Sequence, residues 1–171
     1  MTESDYMAGM QRDDPAVGSA DLVAAYERGI DELKRAVAGM SPEQILARPI
    51  PGKWSTIEVV AHVADTELYF SDRIERTLAL ERPLLMGVDE KPYVTRMDYQ
   101  ALDLDEELAL FTSLRRHVAR ILRSQPPEAW SRKAVHSETG LVTVRQLVFQ
   151  AVRHAQHHLP FIAEKRAALG G

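Results

Sequence analysis

The sequence predicts an all-α protein, a four-helix bundle with two long connecting loops. Four long segments carry apolar residues at the three- and four-residue spacing of an amphipathic helix, and most of them open with helix-capping residues. The short apolar–polar alternation that is typical of strands is almost absent. Amphipathic helices bury their apolar faces against one another, which favours a bundle. The length of 171 residues predicts a single domain over residues 1–171, with a poorly ordered N-terminal segment over residues 1–18.

The first predicted helix runs from about Ser19 to Ala38 and ends before Gly39, which suits the position after a helix C-terminus. A short turn follows, in which Ser41 is a candidate N-cap and Gln44 the matching third residue. The apolar stripe of the first helix has helical spacing. Its members are Leu22, Tyr26, Ile30, Leu33 and Val37.

The second predicted helix begins at Ser55, which forms a capping box with Glu58. Trp54 stands before this cap and Val59 after it, at the positions of a hydrophobic staple. The apolar pattern continues to about Leu80, beyond which proline and glycine interrupt it.

Two long connections separate the remaining helices. The connection from Glu81 to Asp103 has no periodicity, and a loop of that length usually covers or serves a functional site. The third helix starts near Asp105 and ends before Pro126. A second connection over residues 128–142 predicts a small irregular hairpin, and the fourth helix opens at Thr143 and runs to about residue 169.

Composition excludes several classes of function. Lysine and arginine number 21 against 25 aspartate and glutamate residues, a net charge of −4, so a nucleic-acid partner is not expected. The chain has no cysteine, which excludes a cysteine nucleophile, thiolate zinc ligands and iron–sulfur clusters. Any thiol chemistry must therefore use the sulfur of a small molecule.

The N-terminal region is acidic and polar, without the basic and apolar regions of a signal peptide. The apolar runs elsewhere are too short to cross a bilayer. We therefore predict a cytoplasmic protein that does not associate with a membrane.

Histidines in apolar rows are the most informative feature of the sequence. His154 and His158 are four residues apart and continue the inward row of Leu147 and Ala151 on the fourth helix. His62 lies beside the inward row of the second helix, and packed helices are close enough for its ring to join the other two. Burial of unpaired imidazoles is costly, so these rings need shared partners, either hydrogen bonds or a metal ion. His62, His154 and His158 are therefore candidate metal ligands, with hydrogen-bonded core histidines as the alternative at this point.

Three histidine ligands leave coordination positions open for water or substrate, which is typical of a catalytic rather than a structural site. Nitrogen ligands suit several divalent ions, and the cofactor prediction is zinc, nickel, iron or manganese without a choice among them. His157 is rotated by about 100° from His158, so we expect it on the flank of the helix. His117 lies among Arg115 and other arginines on what is predicted to be a solvated face, and no role is assigned to His136.

Three stretches carry a resemblance to a known family. They are residues 48–65 (RPIPGKWSTIEVVAHVAD), residues 136–140 (HSETG) with residues 153–158 (RHAQHH), and residues 89–93 (DEKPY). In these motifs the chain resembles the DinB/YfiT-like superfamily of metal-dependent hydrolases, and within it the bacillithiol transferase branch. The resemblance covers about residues 43–166.

The resemblance implies a DinB-like bundle that forms a homodimer and holds a divalent metal ion through His62, His154 and His158. It also implies transfer of a low-molecular-weight thiol, such as bacillithiol, to an electrophilic small molecule. A weak signal for dimerisation is added by three aromatic residues that we expect to be exposed. These are Tyr6, Tyr26 and Trp130.

The function predicted from the sequence is therefore a metal-dependent S-transferase. Asp65, three residues after His62, is the candidate carboxylate that orients an imidazole or relays a proton. Two alternatives stay open at this point. One is a metal-dependent hydrolase that uses metal-bound hydroxide, and the other is a non-enzymatic metal-binding helical bundle.

Overall fold

The computed structural model describes residues 16–170, and four long helices dominate it. The helices are α1 (Ser19–Val37), α2 (Pro42–Leu46), α3 (Thr56–Ala79), α4 (Lys91–Arg96), α5 (Leu104–Arg123) and α6 (Val144–Ala168), and the strands are β1 (Leu84–Leu85), β2 (Lys133–His136) and β3 (Gly140–Thr143). Helices α1 and α3 each pack against α5 and α6, so the first two long helices lie diagonally across the bundle instead of side by side. The four-helix bundle predicted from the sequence is confirmed.

The helix starts follow from local capping chemistry. Ser41, Ser55 and Thr143 each form a reciprocal capping box with the residue three positions later. Helix α5 starts one residue before the predicted Asp105, because the side chain of Asp103 caps it by accepting from the amide of Glu106. Capping side chains are read directly from the sequence, so the predicted boundaries are close to the observed ones.

The capping box of α3 is reinforced by an ion pair. The Glu58 carboxylate accepts from the Ser55 amide at 2.7 Å and from Arg48 Nε at 2.9 Å. Burial alone would raise the pKa of Glu58, but the hydrogen bonds from Arg48 and Ser55 outweigh it and lower that pKa from 4.5 to about 2. The ionised carboxylate therefore stabilises the folded state.

Glu58→Gln is expected to lose a pH-dependent part of this stability. A depressed folded-state pKa contributes stability that is present above the unfolded pKa, near 4.5, and is lost as the pH falls towards 2. Because the Arg48 side chain is 55% exposed, we expect a deficit of about 1–2 kcal/mol at pH 6–7. Urea unfolding at pH 6, 4.5 and 3 should show this deficit shrinking, whereas the exposed Glu128→Gln should show no such trend. A deficit that stays constant down to pH 3 would contradict the assignment.

A three-stranded sheet closes one side of the bundle. Strands β2 and β3 are antiparallel, with His136 opposite Gly140, which confirms the predicted hairpin. Strand β1 pairs in parallel with β2, Leu84 opposite Val135, and was not predicted because two residues carry no periodicity. The pairing of β1 with β2 joins the connection between α3 and α5 to the connection between α5 and α6.

The prediction of a solvated face around Arg115 is wrong for that residue. Its side chain is 1% exposed and donates to Glu67 Oε2 at 2.9 Å, to the Tyr26 carbonyl at 2.7 Å and to the Ala151 carbonyl at 2.8 Å. Burial is tolerated because each of the three guanidinium nitrogens donates a hydrogen bond and one carboxylate balances the charge. Gly29 makes room for it, since a Cβ there would lie 2.0 Å from Arg115 Nη1.

The expected exposure of Tyr26 and Trp130 is also wrong. Both are buried in the hydrophobic core, so these two residues give no signal for a dimer. Tyr6, like most of the N-terminal segment predicted over residues 1–18, lies outside the described residues. The homodimer stays a prediction. No helix within residues 16–170 is long and apolar enough to span a membrane.

Candidate metal centre

Helices α3 and α6 bring the predicted histidines together in the bundle interior. His62 lies in the second turn of α3, and His154 and His158 lie one turn apart in the middle of α6. All three side chains are buried. Helices α3 and α6 pack directly against each other, and each histidine lies on the side of its helix that faces the other helix.

The three rings meet at close range. His62 Nε2 lies 3.1 Å from His154 Nε2, and one ring nitrogen from each of the three residues lies within 4.8 Å of the others. The ring centroids are 5.0 Å apart for His62 and His154, 4.7 Å for His62 and His158, and 4.6 Å for His154 and His158. Within residues 16–170, these three histidines are the group of side chains that has the composition and spacing of a metal site.

Burial keeps the three imidazoles neutral. Desolvation, followed by the charge of His157, lowers the pKa of His62 from 6.5 to about 4. Desolvation and the neighbouring His62 lower the pKa of His158 to about 2, and the pKa of His154 is lowered by the same two kinds of effect. The neutral imidazole is the form that offers a lone pair to a metal ion.

Two observations show that this donor set fits a divalent ion. The Nδ1 atom of His158 is buried and has no hydrogen-bond partner among the described residues, which is costly unless the nitrogen binds something else. The distance of 3.1 Å between the Nε2 atoms of His62 and His154 matches two nitrogens at ~2.0–2.1 Å from one ion, bound at an angle near 100°. The residues present therefore suit a divalent metal.

Aromatic side chains surround the three histidines. The Trp54 ring lies 5.2 Å from that of His62, and the Phe70 ring lies 5.9 Å from that of His154. Trp54 was predicted only as the staple of α3, and its role as a wall of the site needed the packing of α6. These rings exclude water from the imidazoles on two sides.

His157 lies on the flank of α6, as its rotation from His158 predicts. Its side chain is half-buried, and its ring packs edge-on against those of His158 and Phe161, each with centroids 5.1 Å apart. His117 is exposed and lies 3.1 Å from a carboxylate oxygen of Glu75, and His136 lies on strand β2.

Asp65 faces the first long loop. Its Oδ2 atom accepts a hydrogen bond from the hydroxyl of Tyr99. Desolvation, and then this hydrogen bond to the carboxylate, raises the pKa of Tyr99. Tyr99 lies in the non-periodic connection, so sequence reasoning had no signal for this pair. The predicted role of Asp65 towards an imidazole stays a prediction.

A cleft of about 180 Å³ opens beside His158. Trp54, Val59 and Phe161 form its apolar part. Its remaining lining residues are Gly52, Lys53, Glu164 and Lys165. The cleft places one candidate metal ligand, His158, beside a space large enough for a small organic molecule.

Comparison with known proteins gives consistent results. Residues 25–162 match the DinB superfamily. A Bacillus subtilis relative named "Putative metal-dependent hydrolase YfiT" is 28% identical over 140 residues, covering 81% of this chain and 79% of its own. A relative from Oceanobacillus iheyensis, also named "Putative metal-dependent hydrolase", is 27% identical over 130 residues, covering 76% of this chain and 75% of its own.

Two solved structures share the fold. YfiT from Bacillus subtilis, described as a probable metal-dependent hydrolase with an unusual four-helix bundle topology, has a TM-score of 0.84 at 24% identity over 93% of each chain. A mycothiol-dependent maleylpyruvate isomerase has a TM-score of 0.67 at 14% identity, over 84% of this chain and 60% of its own. The resemblance to the DinB/YfiT-like superfamily is confirmed, and the transferase branch stays a prediction.

Proposed function

This chain belongs to the DinB superfamily, and on that premise we propose that it is a metal-dependent enzyme that transfers a small-molecule thiol to an electrophilic substrate. The observation that carries the metal part is the convergence of His62, His154 and His158, with one nitrogen from each within 4.8 Å of the others. The names of the relatives as metal-dependent hydrolases support an enzyme of the metal-dependent kind.

The three histidines would hold a divalent ion, and no fourth protein ligand is proposed among the described residues. When bound there, such an ion supplies Lewis acidity, which lowers the pKa of a thiol or a water molecule. The residues themselves have three tasks. The buried imidazoles stay neutral, Trp54 and Phe161 limit the access of water, and the Tyr99 hydroxyl is kept protonated beside Asp65.

Two observations favour a thiol as the nucleophile. The chain has no cysteine, so no protein thiol competes for the ion or for the electrophile. The mycothiol-dependent isomerase that shares this fold uses a low-molecular-weight thiol according to its description. The thiol would enter by this cleft, since His158 is the candidate metal ligand that lines it.

A second candidate is hydrolysis, with water in place of the thiol. The names of the curated relatives favour it. The same three histidines and the same cleft would serve this reaction, so the two candidates differ in the nucleophile and not in the site.

The test uses monochlorobimane with a low-molecular-weight thiol, and p-nitrophenyl esters without thiol, on protein with and without chelator. We expect thiol consumption that a chelator abolishes and that His154→Ala reduces by at least about 100-fold. His157→Ala is the matched control, because its ring lies on the flank of α6 beside His158, and it should keep most of the activity.

Ester hydrolysis that needs metal but no thiol would favour the hydrolase. Absence of any metal-dependent turnover in both assays would contradict the enzyme proposal and leave a metal-binding bundle.

A further inference from the structure

A buried ammonium group lines the cleft beside the candidate metal ligands. Lys165 is 2% exposed, although lysine is almost never fully buried unless it is paired. Its Nζ atom donates to the Phe161 carbonyl at 3.0 Å. An ammonium has three N–H donors, and within the described part of the chain this carbonyl is its hydrogen-bond partner. Two donors are therefore available to a ligand.

The ammonium lies near the histidines along α6. Lys165 Nζ donates to the carbonyl of Phe161, so the lysine side chain points back by one helical turn. Phe161 is three residues from His158, which is about 4.5 Å along the helix axis. The charge of Lys165 contributes to the lowered pKa of His158, after the larger effects of burial and of the histidines. Both His158 and Lys165 line the cleft, so one small molecule in it can contact both.

Within residues 16–170 no ion pair joins the ammonium to a carboxylate, and Glu164 and Glu58 act on it only through their charges. Glu58 is engaged by Arg48 and Ser55, and the side chain of Glu164, the other acid nearby, is exposed. Lys53 adds a second positive charge to the lining. Because the side chain is 2% exposed, the ammonium is partly desolvated, which lowers the pKa of Lys165 and favours an anionic partner.

The remaining walls are apolar and the space is small. Trp54, Val59 and Phe161 offer two rings and a branched aliphatic side chain. The volume of about 180 Å³ is close to the ~150 Å³ of a cavity that binds benzene. A molecule with one ring, or an unsaturated chain of similar size, fits this space.

From this geometry we infer that the cleft binds a small carboxylate substrate, whose carboxylate accepts hydrogen bonds from Lys165 Nζ while its planar apolar body packs against Trp54 and Phe161. This inference rests on the proposed function, because it supplies the substrate class for that site. It makes Lys165 a binding residue for the anionic end of the substrate.

The test compares benzoate with benzamide, which has nearly the same shape but no charge. Calorimetry or ligand-detected NMR on the full chain should show that benzoate binds at least about 10-fold more tightly, as expected for a charge-assisted hydrogen bond to a desolvated ammonium. Lys165→Met should remove this preference and Lys165→Arg should keep it. Lys34→Met, at an exposed lysine of α1, is the matched control and should change nothing.

The histidine variant separates this inference from the metal proposal. If benzoate bound only as a metal ligand, its preference would vanish in His154→Ala and survive in Lys165→Met, which would overturn the inference. The same holds if wild-type protein binds both probes equally, or if Lys53→Met and not Lys165→Met abolishes the preference. Circular dichroism and the melting temperature show whether Lys165→Met folds as the wild type does. If it does not, Lys165→Arg, which retains the positive charge, tests whether a cation at this position is needed for the preference. If the benzoate result overturns this inference, the metal-dependent thiol assay can still support the proposed function.

Discussion

Arg115→Met is expected to lower the free energy of unfolding by about 3–5 kcal/mol, because it leaves the Glu67 carboxylate buried without its cation. Glu67 is 2% exposed, and its two oxygens accept from Arg115 and from the Tyr26 hydroxyl. The substitution also leaves the carbonyls of Tyr26 and Ala151 without the guanidinium donors. Urea unfolding at neutral pH measures the loss.

The neighbouring arginine provides the control. Arg116 is exposed on the same helix, so Arg116→Met should change stability by no more than about 0.5 kcal/mol. The double variant Arg115→Met/Glu67→Gln should recover part of the loss, since the unpaired charge is gone. Equal effects of Arg115→Met and Arg116→Met would contradict a buried network.

Metal ions are expected to raise the stability of the wild-type protein by a large amount. An ion that binds only the folded state at 1,000 times its dissociation constant adds about 4.1 kcal/mol. A bound ion would give a partner to the buried Nδ1 side of the His158 ring, and the Nε2 atoms of His62 and His154 already lie at the spacing of two ligands of one ion. Chelator should therefore lower the melting temperature of wild-type protein.

The variants assign that effect to the three histidines. In His62→Ala the melting temperature should hardly respond to zinc or to chelator. His117→Ala, at an exposed histidine outside the site, should respond as the wild type does. A zinc response that persists in His62→Ala would place the ion elsewhere.

Sequence reasoning succeeded where the signal is local. The starts of α3 and α6 were found because Ser55 and Thr143 cap the helices within three residues. The association of His154 with His158 follows from helical periodicity, and it was strengthened by the apolar row in which they lie. His62 required two helices to pack at the right register, and there the family motif supplied what periodicity could not.

Sequence reasoning failed where a charged residue occupies a buried row. Arg115 lies four residues after Phe111 and three before Val118, so it continues the buried stripe of α5. Lys165 similarly follows Ile162 by three residues on α6. The charge of each side chain suggests exposure. Partners on other helices stabilise Arg115 in the core, whereas Lys165 donates to the Phe161 carbonyl of its own helix. The position of each residue within a buried row was the feature of the sequence that indicated burial.

The pair of Asp65 and Tyr99 shows a different limit. It joins α3 to a loop residue 34 positions later, and the loop has no periodicity that could predict its path. Contacts of this kind depend on how the whole connection folds over the bundle, and no local pattern encodes that path.

Zinc titration of the purified chain, with bound metal measured by equilibrium dialysis and elemental analysis, tests whether the three histidines form one metal site. If His62, His154 and His158 hold a divalent ion together, wild-type protein will bind one equivalent per chain, and each single alanine substitution of these histidines will abolish that binding while His157→Ala retains it. Less than half an equivalent on the wild type, or one full equivalent that persists in His62→Ala, would contradict the account.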